Sequence, residues 1–168
     1  MRSFADLPEY DDGVAVTMQM ARASMTNLGV IGTGQFALSF IGGLRRGGYD
    51  GKVLLAPRNA DVAGTLARKH GCMVARSAQA VLADADLILL NVRPEYAEAA
   101  LANLRWERRH TILSAMAGIR IDDLRALLPG VGGIHLIMPG SYIETAPGPL
   151  PLYPPAPGLM PLLSCTGM

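Results

Sequence analysis

Residues 30–37 read Val-Ile-Gly-Thr-Gly-Gln-Phe-Ala. Two glycines one residue apart, after an apolar run and before a helical pattern, form the arrangement that receives the pyrophosphate of a dinucleotide. In that arrangement Gly32 allows the tight turn and Gly34 lets the backbone approach the phosphates. Ala37, in the place of a third glycine, permits close packing of helix on sheet. Thr33 lies between the glycines, and the free amides and dipole of the helix start favour the phosphate charge. Gln35 and Phe36 can lend an amide or a side chain to the same pocket. Phe36, Phe40 and Leu44 also recur every four residues, the spacing of a helix's core stripe. The competing reading is a plain strand-to-helix turn that needs glycine only for its backbone angles.

The choice of dinucleotide is made near the tip of the second strand, where an acid would bind a ribose 2′-hydroxyl and an arginine would accommodate a 2′-phosphate. That tip reads "LLAPRNADVAG". It holds no acid: Asp50 precedes the strand and Asp61 is already inside the next helix. Arg58 is placed for charge-assisted bonds to a phosphate, so NADP is the expected cofactor. Asn59, beside it, is equally suited to cap the following helix. No residue is assigned as catalytic acid, base or nucleophile. His70 ends a helix, His110 follows the surface run "RWERR" and His135 lies in a strand, and all three are read as structural. Cys72 and Cys165 belong to no Cys/His cluster, so no metal site is expected.

These residues need a scaffold. From Leu28 onward, short leucine-rich or β-branched runs alternate with helix-period segments, the signature of parallel βαβ units. Strands are expected at Leu28–Ile31, Lys52–Ala56, Met73–Ala75, Asp86–Val92, Thr111–Ala115 and Gly133–Ile137. Helices are expected at Gln35–Arg46, Ala60–His70, Ser77–Ala83, Pro94–Asn103 and Arg120–Leu128. The fold class is α/β: a Rossmann-type, doubly wound, mostly parallel sheet of order 3-2-1-4-5-6 in three α/β/α layers. Beyond Met138 prolines accumulate, which excludes a central strand or long helix there. Leu150–Tyr153 can still form an edge strand and Gly158–Thr166 one short helix. The expected organisation is a loose extension over 1–27, the nucleotide-binding domain over 28–155 and a Pro/Gly-rich tail over 156–168.

Composition narrows the partners. The chain has 168 residues, half of them hydrophobic, with 15 basic against 14 acidic side chains. That balance gives no electrostatic footprint for nucleic acid. No apolar run reaches the roughly 20 residues of a membrane span. The acidic first 27 residues do not have the pattern of a secretory signal, so a cytoplasmic protein is expected.

Four motifs in order then carry a family resemblance: "VIGTGQFA", "ADADLILLNVRPEY", "SAMAGI" and "HLIMPG". Together they resemble the N-terminal domain of pyrroline-5-carboxylate reductase, over about Leu28–Tyr153. The resemblance implies hydride transfer from NADPH to the C=N bond of a small cyclic imine, 1-pyrroline-5-carboxylate, giving proline. It implies Gly32, Thr33, Gly34, Gln35 and Phe36 around the pyrophosphate and Arg58 and Asn59 by the adenosine ribose. It also implies Val92, Arg93 and Pro94 beside the adenine or its ribose. Ala115, Met116, Ala117 and Gly118 would line the nicotinamide side, closed by Met138 and Pro139. Gly140 departs from the family's usual Asn. The family is homo-oligomeric through a helical C-terminal domain, which this chain is expected to lack. Alternatives are another NADP-dependent reductase, F420-dependent or like 6-phosphogluconate dehydrogenase, against which "SAMAGI" and "MPG" argue, or a cofactor-binding module without activity.

Overall fold

The computed structural model of the chain describes residues 27–138, 140–146 and 148–166. The expected N-terminal extension, apart from Asn27, and Pro139 lie outside the described residues. Among the described residues seven strands form one sheet, in the order β3-β2-β1-β4-β5-β6-β7. They are β1 (Leu28–Ile31), β2 (Val53–Leu55), β3 (Met73–Val74), β4 (Leu87–Leu90), β5 (Thr111–Ser114), β6 (Gly133–Ile137) and β7 (Leu152–Tyr153). The strands from β1 to β6 are parallel, and β7 closes one edge antiparallel to β6. The expected order holds, and the edge strand occupies the last two residues of the stretch predicted for it.

Every residue of β1, β2 and β4 is buried. This is why these strands read as continuous apolar runs, since a parallel sheet is covered on both faces. Alternate residues feed two separate cores, as the two-residue strand period requires. Leu28, Val30, Leu87 and Leu89 face one core, whereas Ile31, Ile88 and Leu90 face the other.

The first face is covered by α1 (Gln35–Arg46), α2 (Ala60–His70) and the C-terminal segment with α6 (Met160–Ser164). The second is covered by α3 (Ala78–Asp84), α4 (Ala97–Leu101) and α5 (Ile121–Leu127). Local chemistry sets the helix starts. Asn59 Oδ1 accepts from the Val62 amide at 3.2 Å and Ser77 Oγ from the Ala80 amide at 3.1 Å, each satisfying an amide that the first turn leaves without a partner. The helix predicted over Pro94–Asn103 is shorter and begins differently. A 3-10 turn over Pro94–Tyr96 precedes α4. The Tyr96 amide closes on Arg93 O at 2.9 Å, a three-residue step that a proline with fixed φ starts as readily as a helix.

The proline-rich stretch after β6 is folded against α1. A 3-10 turn at Ser141–Glu144 lies on Gly43, where a Cβ would stand 2.3 Å from Ile143 O. Further on, a Cβ at Gly47 would stand 1.7 Å from Cys165 O. A glycine inside a helix, such as Gly43, costs about 1 kcal/mol relative to alanine; here it and Gly47, the residue that ends α1, permit two backbone contacts beside Ile143, Leu162 and Leu163 of the first core.

The histidines serve the frame. Fully buried His110 accepts from the Glu107 amide through Nδ1 at 2.9 Å and donates from Nε2 to Leu82 O at 3.0 Å. His135 Nδ1 donates to Pro154 O at 2.9 Å, tying β6 to the segment after β7. No helix among the described residues is long and apolar enough to cross a membrane.

Both cysteines are buried and free, and burial pushes the Cys72 thiol up to about 11 and raises that of Cys165. Gly47→Ala is therefore expected to force α6 off α1, lowering stability in urea by about 1–3 kcal/mol and making Cys165 the first thiol to react with a disulfide reagent. An unchanged midpoint with both thiols still protected would contradict this packing.

Candidate functional site

The glycine turn joins the ends of β1 and β4. Gly32 has φ +103°, and a Cβ there would meet Asn91 O at 2.2 Å. Conformation and space both demand glycine at this position. Asn91 then braces the turn, its Nδ2 donating to Gly32 O at 3.3 Å.

Gly34 is different. It is the N-cap of α1 with φ −114° and ψ −172°, an extended conformation open to any residue. A Cβ on it would meet only Asn91 Nδ2, at 3.7 Å, an ordinary contact. Nothing among the described residues requires glycine at this position, and a side chain would occupy the space in front of the turn.

Two further features sit at the same point. Thr33 is 4% exposed, and its Oγ1 is a buried polar atom with no hydrogen-bond partner among the described residues. No side chain caps α1, and no acid stands in its first turn. The free amides and the positive end of the helix therefore face the turn without a built-in anion.

In front of the turn lies a cleft of about 470 Å³. Its walls bring together Gly32, Thr33, Gly34, Arg58, Asn59, Val92 and Arg93 of the residues singled out from sequence. Both arginines are exposed. Among the described residues neither makes an ion pair and no acid lines the cleft, so the lining carries two positive charges and no negative one. The Arg58 guanidinium carbon lies 5.3 Å from the centre of the Tyr96 ring. Asn59 Oδ1 is engaged in capping α2.

A second cleft, of about 410 Å³, opens where β5 and β6 end. Ala115, Met116, Ala117 and Gly118, expected together, line it, and so does Phe36, expected with the glycine turn and standing here instead. Ser114 Oγ accepts from the Met116 amide at 3.3 Å and tightens the loop after β5. Across it stand Leu136, Met138, Leu152 and Tyr153, with Met138 77% and Tyr153 67% exposed at the rim. This cleft is apolar, with a tyrosine as its one titratable side chain among the described residues. It can hold a flat ring and shield it from water, and it offers no carboxylate or histidine to exchange a proton.

Of the expected cofactor residues from Gly32 to Gly118, two lie in neither wall: Gln35, exposed in the first turn of α1, and Pro94, which starts the 3-10 turn; Met138, expected to close the nicotinamide side, lines the second cleft. Asn91 and Tyr96 do line the first cleft and were not selected. Asn91 carried a signal, since it is the polar residue that ends the apolar run Leu87–Leu90. Tyr96 carried none beyond its place in "NVRPEY", because its partner Arg58 belongs to a different loop.

The site can now be set beside known proteins. A family model described as NADP oxidoreductase coenzyme F420-dependent matches residues 27–118. No curated protein matches. Among solved structures, 1-pyrroline-5-carboxylate reductase from Streptococcus pyogenes aligns with TM-score 0.69 at 21% identity, over 85% of this chain and 55% of that one. The pyrroline-5-carboxylate reductase of Coxiella burnetii aligns with TM-score 0.70 at 18% identity, over 84% and 55%. That of Plasmodium falciparum, solved with NADP bound, gives 0.67 at 18%, over 83% and 55%. These likenesses are of fold, and the chain spans about half the length of the reductases it resembles. The family match runs from the residue before β1 to Gly118 in the second cleft, more than half of the chain, and the chain therefore belongs to the NADP oxidoreductase, coenzyme F420-dependent, family.

Proposed function

We propose that this chain holds NADPH across the two clefts and is the cofactor-binding part of a reductase for the C=N bond of 1-pyrroline-5-carboxylate, yielding L-proline. Gly34 carries the reading: neither its φ nor its neighbours require glycine, so the demand comes from something that must approach the backbone there. The unpartnered Thr33 Oγ1, the uncapped start of α1 and the two arginines without acids support a ligand of several negative charges.

In this reading the amides after Gly34 take the pyrophosphate, and Arg58 and Arg93 take the 2′-phosphate side. Asn59 and Val92 border the adenosine, and Pro94 acts only by starting the turn behind them. The second cleft, with Phe36, Met116 and the loop to Gly118, receives the nicotinamide. The bound cofactor supplies a hydride. The chain's own residues orient the ring and exclude water from one of its faces, and effective orientation is a large share of such a rate enhancement. A cyclic imine is most electrophilic when protonated, so the absence of a His–carboxylate pair from the second cleft is compatible with this chemistry. The imine substrate rests on the four sequence motifs and on the reductases with the same fold. Turnover is part of the proposal, since the chain covers only 55% of the length of those reductases.

A second reading comes from the family description, which names coenzyme F420: hydride exchange between NADPH and a deazaflavin. Oxidation of NADPH on addition of pyrroline-5-carboxylate, against oxidised F420, separates the two.

Binding is tested by nicotinamide fluorescence. Wild type is expected to bind NADPH with a dissociation constant at or below the micromolar range. Gly34→Val should weaken it at least about tenfold, by steric exclusion, with an unchanged melting midpoint. Arg58→Ala should weaken NADPH about tenfold more than NADH, as loss of a charge-assisted bond implies. Equal wild-type affinities for NADPH and NADH would contradict the choice of NADP, and full affinity in Gly34→Val would place binding elsewhere.

A further inference from the structure

Arg58 follows β2 and Tyr96 follows β4, yet they meet across the mouth of the first cleft, with the guanidinium carbon 5.3 Å from the ring centre. Among the described residues the Arg58 side chain makes no hydrogen bond or ion pair, so the ring is its one anchor. The backbone explains why Tyr96 is there. Pro94 starts the 3-10 turn, the Tyr96 amide closes on Arg93 O at 2.9 Å, and Ala97, the next residue, is buried at 2% exposure. With Ala97 turned into the core, Tyr96 stands outward at 46% exposure, toward the cleft.

An exposed arginine loses much rotamer freedom when it grips a phosphate, and a preordered one loses less. The face of an aromatic ring attracts a guanidinium electrostatically. It engages the cation without accepting its N–H groups, which remain donors for a phosphate. Asn59 cannot do this work with its oxygen, which caps α2.

We infer that Tyr96 is a positioning residue for cofactor choice: its ring holds Arg58 in place to bind the 2′-phosphate that distinguishes NADPH from NADH. This rests on the NADPH-binding reading above and deepens it. The role belongs to the ring and acts through Arg58, so it affects NADPH and leaves NADH alone.

The test is a set of fluorescence titrations with NADPH and NADH on wild type, Tyr96→Phe, Tyr96→Ala, Arg58→Ala and the double variant Arg58→Ala/Tyr96→Ala, with melting midpoints for each. Tyr96→Ala should lower the NADPH-over-NADH preference about three- to fivefold, the range of an exposed cation–π contact, with NADH affinity within about twofold of wild type. Tyr96→Phe should keep the wild-type preference. In the Arg58→Ala background, removal of Tyr96 should leave the preference unchanged, because the effect is routed through Arg58. Equal weakening of both cofactors by Tyr96→Ala would overturn the inference and make the ring a platform for adenine. An unaltered preference in Tyr96→Ala, or a full additional effect in the double variant, would overturn it too. If Arg58→Ala shifts the preference while Tyr96→Ala does not, the inference fails and the NADPH reading stands. If wild type has no preference, or binds neither cofactor, the NADPH reading itself fails.

Discussion

The close approach of two strand ends is the constraint on which the site depends. The ends of β1 and β4 come so near that a Cβ on Gly32 would lie 2.2 Å from Asn91 O. That approach happens at the point where the chain order reverses, with β2 on one side of β1 and β4 on the other. In a doubly wound sheet this is where the loops diverge and leave a crevice. The loop after β2 supplies Arg58, the loop after β4 supplies Arg93 and Tyr96, and α1 starts between them. The glycine at 32 is a condition of the sheet, whereas nothing among the described residues requires the glycine at 34, which the proposed phosphate ligand would.

The aim of α1 depends on a less obvious part of the chain. Gly43 and Gly47 let the 3-10 turn at Ser141–Glu144 and the end of α6 pack backbone against helix. Each buried leucine of that segment, such as Leu162 or Leu163, contributes about 1.5–3 kcal/mol. Arg46 adds a bond from its guanidinium to Glu144 O. The helix is thus held along its length by the C-terminal segment while its start stays uncapped. A dipole that must meet a phosphate needs this combination of a fixed axis and a free amino end. The same segment contributes Leu152 and Tyr153 to the second cleft, so one stretch of proline-rich chain both steadies the first cleft and walls the second.

Much of this was legible from residue types because the relevant physics is local or periodic. Short crossovers with apolar runs led to the strand order, and Asn59 announced the helix start that its side chain caps, whereas Ser77, expected inside its helix, is the cap one residue before it. Arg58 was readable because the distance from a glycine turn to the tip of the next strand is set by one helix and one strand. What escaped was tertiary. Gly43 looks like a weakness in a helix and Gly47 like an ordinary helix stop until their neighbours from the C-terminal segment are known. Pro94 is as good a start for a 3-10 turn as for the longer helix expected, and the buried Ala97 decides how the turn is oriented. Tyr96 has meaning only opposite Arg58. Asn91 was the nearest miss, a polar residue that ends an otherwise apolar strand and whose amide reaches the carbonyl of Gly32.

If the backbone from Gly34 to Phe36 receives a phosphate-bearing ligand, the amide spectrum of labelled protein shows it during a titration with NADPH. The Gly34, Gln35 and Phe36 amides are expected to move most and to saturate together with the Arg58 side-chain signal. Saturable shifts centred elsewhere, or an unmoved glycine turn at full NADPH occupancy, would contradict it.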